Sequence, residues 1–178
     1  MRNITALSPD ERRHMRGEIC MKIKAVPVSA IDFSKFGTYF SMKEEAENLL
    51  LSKGDGWEDR RTNAPLLRTS GSLGVTLGSP APCEVRAMER HLHTEEAIFC
   101  MADPIVVALA HSAGSKPLLS DIQVVVLTPG DVIVLRHGVW HDACHGINKS
   151  AHYYWMATES DEQTEWIDIV GGPLEVAL

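Results

Sequence analysis

The chain has 178 residues, a formal net charge of −7 and 44% hydrophobic residues, which fits one globular domain. No basic stripe is present, which argues against nucleic-acid binding. The sequence contains no run of about 18 apolar residues, so no transmembrane helix is predicted. The four cysteines, Cys20, Cys83, Cys100 and Cys144, form no CxxC pair, so we expect free thiols in a reducing cytoplasm.

The first twenty residues are polar and charged and are predicted to be an N-terminal extension. They lack the apolar stretch of a secretory signal. Ser8 suits the cap of a short helix. Residues 21–178 are expected to form a single domain, whose natural start is Met1 or Met21.

The next segment combines one strand with helical patterns. Alternation of apolar and polar residues predicts a strand over 21–27. Apolar spacing indicates one helical turn over 29–36 and a stronger helix over 42–52, ended by Gly54. An irregular loop is expected around Trp57.

After about Ser70 the chain reads as short strands separated by Gly, Pro and Asp turns. We predict strands over 72–77, 83–93, 97–101, 105–111, 122–127, 132–135, 153–158 and 166–170. This succession is typical of a β-sandwich or barrel. The predicted fold class is therefore all-β, with short N-terminal helices.

Two histidines end the predicted strand over 83–93, and a carboxylate follows it. Alternate side chains of a strand face the same way, so His91 and His93 are expected to point together. Glu96 adds a carboxylate and His141 a distant third imidazole. Such donors suit a divalent transition metal such as Zn²⁺, Mn²⁺, Fe²⁺ or Ni²⁺. A solvated His-x-His pair without a metal is the alternative.

Residues around His141 supply further candidates. Gly138 permits a bend that presents His141 inward, and Asp142 is a candidate acceptor for orienting a metal-bound imidazole. His137 and His145 are either functional or ordinary surface or core histidines.

Arginines offer anchors for an anionic ligand. A fixed guanidinium suits bidentate carboxylate recognition, and Arg90 adjoins the candidate ligands. Arg136 and Arg68 are rival anchors, and a solvated or ion-paired Arg90 is the alternative.

Two stretches resemble the motifs of the cupin superfamily. Residues 91–101 resemble the first motif, and residues 129–141 resemble the second. The resemblance implies a double-stranded β-helix, or jelly-roll barrel, with a metal inside. By position its ligands would be His91, His93, Glu96 and His141.

A narrower resemblance is to the ureidoglycolate lyase family. Residues 21–27, with Phe33 and Phe36-Gly37 after them, are similar to the start of that family. The family's two internal signatures resemble Glu89-Arg90-His91 and Gly138-Val139-Trp140-His141. The matches span about 21–158.

The sequence also departs from that family. Residues 73–80 contain no arginine, although family members tend to carry one in this strand. His93 stands where the lyases often have an apolar residue. These differences bear on the substrate more than on the fold.

The resemblance implies a carbon–nitrogen lyase that cleaves (S)-ureidoglycolate to glyoxylate and urea in allantoin and purine breakdown. His137 would then transfer a proton, and Arg90 or Arg136 would bind the substrate carboxylate. A homodimer is expected by analogy with the fold, with 166–178 as a candidate interface.

Two other functions remain open. One is a different metal-dependent cupin enzyme, such as a sugar isomerase, dioxygenase or decarboxylase, which His93 and the missing arginine favour. The other is a non-catalytic cupin that binds a small ligand.

Overall fold

The computed structural model describes residues 20–43, 46–158 and 164–178. Helical residues in these ranges are limited to 3-10 turns at Val28–Ala30, Phe33–Lys35 and Leu119–Asp121. The strands are β1 (Met21–Lys24), β2 (Val26–Pro27), β3 (Gly37–Ser41), β4 (Leu49–Gly54), β5 (Trp57–Thr62), β6 (Ser72–Gly78), β7 (Pro80–Ala81), β8 (Cys83–Val85), β9 (Ala87–Met88), β10 (Glu96–Phe99), β11 (Ile105–Ala110), β12 (Ile122–Leu127), β13 (Asp131–Leu135), β14 (Trp140–His141), β15 (His145–Ile147), β16 (Ala151–Ala157), β17 (Ile167–Asp168) and β18 (Leu174–Ala177).

The all-β prediction is confirmed over these ranges. A search of the described helical segments finds none long and apolar enough to cross a membrane. The predicted helix that begins at Ser8 lies outside the described residues, as does most of the predicted extension.

Two large sheets form the body of the described chain. One has the order β3-β13-β10-β16-β6, and the other has the order β2-β12-β11-β15-β7 with β14 also on β11. Ile98 and Ile133 of the first sheet share a buried cluster with Val107 and Leu127 of the second. The two sheets therefore face each other, in the cupin-like arrangement that the sequence motifs implied.

Strand β11 is buried along its whole length because both of its faces are covered. Val107 and Leu109 face the cluster between the large sheets. Val106 and Ala108 face a second cluster, which packs against a smaller sheet of order β1-β18-β8. An unbroken apolar run such as Ile105–Ala110 is the expected sequence of such a strand.

The C-terminal segment lies partly in the interior of the protein. Strand β18 is the middle strand of its sheet, and Leu174 and Val176 are buried. Within the predicted interface segment 166–178, the exposed apolar side chains include Trp166 and Val170.

The predicted helix over 42–52 is wrong, and so is the loop around Trp57. Strands β4 and β5 form an antiparallel hairpin in which Gly54 lies opposite Trp57. The two-residue turn between them is Asp55-Gly56, with Gly56 at φ +80°. Leu49 packs on the outer face of the five-stranded sheet, so tertiary contact and cross-strand pairing override the local helical pattern.

The predicted strand over 83–93 is also corrected. It divides into β8 and β9, and residues 90–95 are not in a strand. Strand alternation therefore does not place His91 beside His93. The predicted strand over 166–170 shortens to β17.

Candidate metal centre

Backbone pairing brings together two segments that are distant in sequence. Glu89 and His141 form an antiparallel bridge in which each N–H donates to the other's carbonyl at 2.9 Å. The N–H of Gly138 donates to the carbonyl of His91 at 2.7 Å. Gly138 has φ +77°, so it makes the bend that the sequence predicted, in a backbone region that glycine adopts at little cost.

Four side chains converge at this junction. Nε2 of His91 and Nε2 of His141 each lie 3.2 Å from Oε2 of Glu96. Ligand atoms of Glu89, His91 and His141 all lie within 4.8 Å of one another. The junction therefore gathers two imidazoles and two carboxylates.

Both histidines use Nδ1 for outer contacts. His141 Nδ1 lies 3.3 Å from the carbonyl of Asp142, and His91 Nδ1 lies 3.3 Å from Oγ1 of Thr164. An Nδ1–H that donates to such an acceptor leaves the lone pair on Nε2. The two Nε2 atoms are then oriented as ligands toward Glu96.

The donor set fits a divalent cation. Among the described residues, Oε2 of Glu96 and Nε2 of His141 are buried polar atoms without a hydrogen-bond partner. Such atoms are costly unless something satisfies them. Two imidazole nitrogens with carboxylate oxygens suit Zn²⁺, Mn²⁺, Fe²⁺ or Ni²⁺, and a cation would satisfy both unpartnered atoms.

The charges in the centre influence one another. Interaction with Glu96 raises the pKa of His91 above its ordinary value. Burial acts to raise the pKa of Glu96, but the charges of His141 and His91 outweigh it and the pKa is lowered. Burial raises the pKa of Glu89. Of the two carboxylates in the centre, Glu96 is thus the one that favours its ionised form.

The centre opens into a cavity of about 360 Å³. A cavity of this size accommodates a small metabolite. The four converging side chains form part of its wall. The remaining lining residues are Thr76, His93, Thr94, Ile98, Asp142, Ala143, Cys144, Tyr153, Trp155, Ala157, Thr158 and Thr164.

The other predicted site residues lie further from the junction. His93 lines the cavity, but its Nε2 contacts the carbonyl of Thr158 at 3.1 Å. His137 and Arg136 are exposed, and Arg136 donates to the carbonyl of Ser34. The structure therefore brings together His91, Glu96 and His141 from the predicted set, with His93 at the cavity wall.

Arg90 borders a second cleft of about 320 Å³, which shares His93 and Thr164 with the main cavity. Its guanidinium lies over the Trp140 ring, with Cζ 4.3 Å from the ring centroid. One N–H of Arg90 donates to the carbonyl of Gly114 at 3.1 Å. Stacking and this bond fix the orientation of the guanidinium.

Asp142 has a different role from the predicted one. Its Oδ1 accepts from the N–H of Ala108 at 2.7 Å, and its Oδ2 lies 3.1 Å from Nε2 of His145. The carboxylate therefore orients His145, and only its backbone carbonyl contacts His141.

The sequence analysis missed Glu89 as a member of the centre. Glu89 and His91 are two residues apart, the same spacing that drew attention to His91 and His93. The backbone bridge between Glu89 and His141 brings the pair Glu89 and His91 to the centre.

The chain is similar in sequence to one protein family and in fold to several solved structures. A model of the ureidoglycolate lyase family matches residues 20–170, and no curated protein matches the chain significantly. Among solved structures, a dTDP-sugar isomerase from Desulfovibrio desulfuricans is 15% identical with a TM-score of 0.47, over 66% of this chain and 78% of its own.

Two further structures are similar at the same level. RmlC from Streptococcus suis, solved with dTDP-D-xylose, is 8% identical with a TM-score of 0.42, over 64% of this chain and 62% of its own. The CENP-C cupin domain of Drosophila melanogaster is 16% identical with a TM-score of 0.39, over 69% of this chain and 85% of its own. Because the family match covers most of the sequence, this chain belongs to the ureidoglycolate lyase family.

Proposed function

We propose that this protein is a ureidoglycolate lyase that cleaves ureidoglycolate to glyoxylate and urea. The observation that carries the proposal is the convergence of His91, His141, Glu96 and Glu89 in one cavity of a chain that matches this family. The pathway would be the breakdown of allantoin and other purine products.

We propose that His91, Glu96 and His141 hold a divalent metal. Two imidazoles and one carboxylate leave coordination positions open for a substrate. A bound cation would polarise the substrate's hydroxyl and lower its pKa.

The reaction needs two proton movements, because the substrate is a carbinolamine. The hydroxyl must lose its proton as the carbonyl forms, and the departing nitrogen must gain one. His137, which the family resemblance implied as the proton-transfer residue, has an exposed side chain. We assign the acceptor role to Glu89, because its carboxylate lines the cavity beside the ligands. The carboxyl group so formed would then return this proton to the departing nitrogen, so that urea leaves neutral.

We propose Arg90 as the anchor of the substrate carboxylate. A guanidinium has five N–H donors, one of which donates to Gly114, and its stacked position on Trp140 orients the rest. The second cleft adjoins the main cavity at His93 and Thr164. A substrate whose hydroxyl lies at the metal centre would point its carboxylate toward this second cleft.

The test is glyoxylate release from ureidoglycolate by purified protein, before and after chelation and with added Zn²⁺, Mn²⁺, Fe²⁺ or Ni²⁺. We expect release that chelation abolishes and one metal restores. Glu89→Gln should retain the metal and lose turnover, whereas Glu96→Gln should lose the metal. No release with any metal would overturn the lyase proposal and favour another metal-dependent cupin enzyme or a small-ligand-binding cupin.

We also propose a cytoplasmic homodimer. The described cysteines are all free thiols, which suits a reducing compartment. The edge strand β6 exposes three apolar side chains, those of Leu73, Val75 and Leu77. A second copy of the chain would cover them in a dimer. Sedimentation of the purified protein tests the assembly, and a monomer at all concentrations would contradict it.

A further inference from the structure

The sheet is interrupted by a β-bulge immediately after the metal ligand His141. His141 lies opposite Leu109 of β11, and His145 lies opposite Val106 of the same strand. The chain from His141 to His145 therefore advances by one residue more than β11 does, which defines a bulge. The extra residue changes the face of the sheet to which the side chains point. His141 contributes to the metal centre, whereas Nδ1 of His145 contacts the exposed Ser79.

Asp142, the first residue after His141, pairs with Ala108 of β11 in an irregular way. The N–H of Asp142 donates to the carbonyl of Ala108 at 3.2 Å. In a regular antiparallel pair, the carbonyl of Asp142 would accept the N–H of Ala108 in return. Here Oδ1 of the carboxylate accepts that N–H at 2.7 Å. The side chain of Asp142 therefore replaces its own carbonyl in the ladder between the strands.

The carbonyl that the ladder does not use contacts the metal ligand. The carbonyl oxygen of Asp142 lies 3.3 Å from Nδ1 of His141. A carbonyl can only accept, so this contact requires a proton on Nδ1, and a neutral imidazole then has its lone pair on Nε2. Nε2 is the atom that lies 3.2 Å from Oε2 of Glu96. The contact therefore sets both the tautomer and the orientation of the ligand.

The carboxylate of Asp142 is itself held in place at both oxygens. Besides the bond from Ala108 to Oδ1, Oδ2 lies 3.1 Å from Nε2 of His145. Asp142 is 3% exposed, and burying a carboxylate is costly unless its oxygens are satisfied. The two partners therefore keep the carboxylate on the N–H of Ala108.

We propose that Asp142 is a positioning residue that orients the metal ligand His141 through the main chain. Its carboxylate occupies the N–H of Ala108, so the carbonyl of Asp142 stays available to accept from Nδ1 of His141. The sequence predicted a direct contact between the carboxylate and a metal-bound imidazole, whereas the carboxylate acts here at one remove. The inference rests on the proposed function, because its measurable consequence is tighter binding of the cation.

Removing the carboxylate should reverse this arrangement. In Asp142→Ala, the carbonyl of residue 142 should turn to accept from the N–H of Ala108, as in a regular pair, and Nδ1 of His141 should lose its acceptor. Loss of the outer hydrogen bond of a ligating histidine weakens metal binding by roughly 10- to 100-fold. We expect a loss of that size in the affinity for Zn²⁺, measured by competition with a chromophoric chelator.

Two further variants separate orientation of the ligand from general stability. Asp142→Asn keeps an oxygen that can accept from Ala108, so it should bind Zn²⁺ nearly as tightly as wild type. Asp131→Ala is the matched control, because Asp131 is also 3% exposed and also accepts a main-chain N–H, that of Thr128, at 2.7 Å. It should lower the unfolding midpoint of the metal-free protein and leave the affinity for Zn²⁺ unchanged.

A fourth variant covers the case in which Asp142→Ala does not fold. His145→Ala frees Oδ2 of Asp142 and leaves the bond to Ala108 in place. It should weaken Zn²⁺ binding in the same direction but by less. If Asp142→Ala does not fold, unchanged affinity in His145→Ala overturns the inference.

Crystal structures of the metal-free wild type and Asp142→Ala supply a readout that does not need the cation. We expect the carbonyl of residue 142 to accept from the N–H of Ala108 only in the variant. Unchanged Zn²⁺ affinity in Asp142→Ala, an equal loss in Asp142→Asn or in Asp131→Ala, or a carbonyl that stays on His141 would each overturn the inference. If the wild type binds none of Zn²⁺, Mn²⁺, Fe²⁺ and Ni²⁺, the metal centre fails, and the two crystal structures alone decide whether the carboxylate orients His141.

Discussion

Glu96 and His141 meet across the two large sheets, with Oε2 and Nε2 separated by 3.2 Å. Glu96 begins β10 of the five-stranded sheet, and His141 ends β14, which pairs with β11 of the other sheet. The two residues are only 8% and 4% exposed. A cation at this contact would tie the two layers together, so metal binding and stability should be linked.

Replacing His141 with Ala should abolish metal binding, because it removes one of two imidazole ligands. Elemental analysis after dialysis measures the bound metal. His152→Ala is the control, since His152 is exposed on β16 and should retain full occupancy. Full metal content in His141→Ala would contradict the assigned ligands.

Replacing Arg90 with Lys should raise KM for ureidoglycolate by roughly tenfold, because a charged hydrogen bond of fixed geometry is lost. Arg136→Lys should leave KM unchanged, since Arg136 is exposed and donates to Ser34. Steady-state glyoxylate release gives both values. A larger effect at Arg136 would transfer the anchor to that residue.

Replacing Gly138 with Ala should destabilise the fold by about 1–2 kcal/mol, the cost of a side chain at positive φ. An added Cβ would lie 3.6 Å from Leu92 Cδ2, which is ordinary contact, so the backbone conformation and not crowding causes the loss. Gly138→Asn should lose less, because Asn tolerates this conformation better. Guanidinium chloride unfolding distinguishes the variants, and equal losses would point to crowding instead.

Asp131 should stabilise the turn before β13 above acidic pH. Its carboxylate accepts from Thr128 N at 2.7 Å and from Tyr39 Oη at 2.8 Å, and pairs with Lys43 Nζ at 2.9 Å. Burial acts to raise its pKa, but these contacts lower it below 3.8. The stabilisation is therefore complete above about pH 4 and lost as pH falls through the folded pKa.

Asp131→Asn tests this pH dependence. At pH 7 we expect a loss of about 1–3 kcal/mol in the free energy of unfolding. The difference from wild type should shrink as the pH falls below 4. A difference that stays constant with pH would show that the carboxylate charge does not contribute.

His145 should contribute stability that is lost at alkaline pH. Burial acts to lower its pKa, but hydrogen bonds to Asp142 and Cys83 raise it to about 10, from 6.5. The contribution is complete below pH 6.5 and is lost as pH rises through about 10. Denaturation midpoints between pH 6 and 10.5 should decline less for His145→Gln than for wild type, and parallel declines would contradict this.

The strands of the core could be predicted because their sequences report burial directly. The runs at 105–110 and 122–127 are short, rich in β-branched residues and free of charged residues, which favours buried strands over helices. The hairpin at β4 and β5 was missed because the charged residues at 43–47 and the leucines of β4 together resemble a helix. The Asp55-Gly56 pair was the available signal, since Asp-Gly between two strand-like runs is typical of a tight hairpin turn.

The candidate site could be predicted only in part. His91, Glu96 and His141 were found from donor type and motif spacing. The inclusion of Glu89 depends on its backbone bridge to His141, and that pairing joins residues 52 positions apart.

The two faces of strand β10 contact different parts of the molecule. Glu96 and Ile98 line the cavity, whereas Ala97 and Phe99 belong to the apolar cluster beneath the β4–β5 hairpin. Inserting or deleting a single residue here would exchange the two sets, placing a carboxylate in that cluster and an alanine at the metal centre. The exposed hairpin turn at Asp55-Gly56 can accept inserted residues, whereas the four residues of β10 can accept only substitutions.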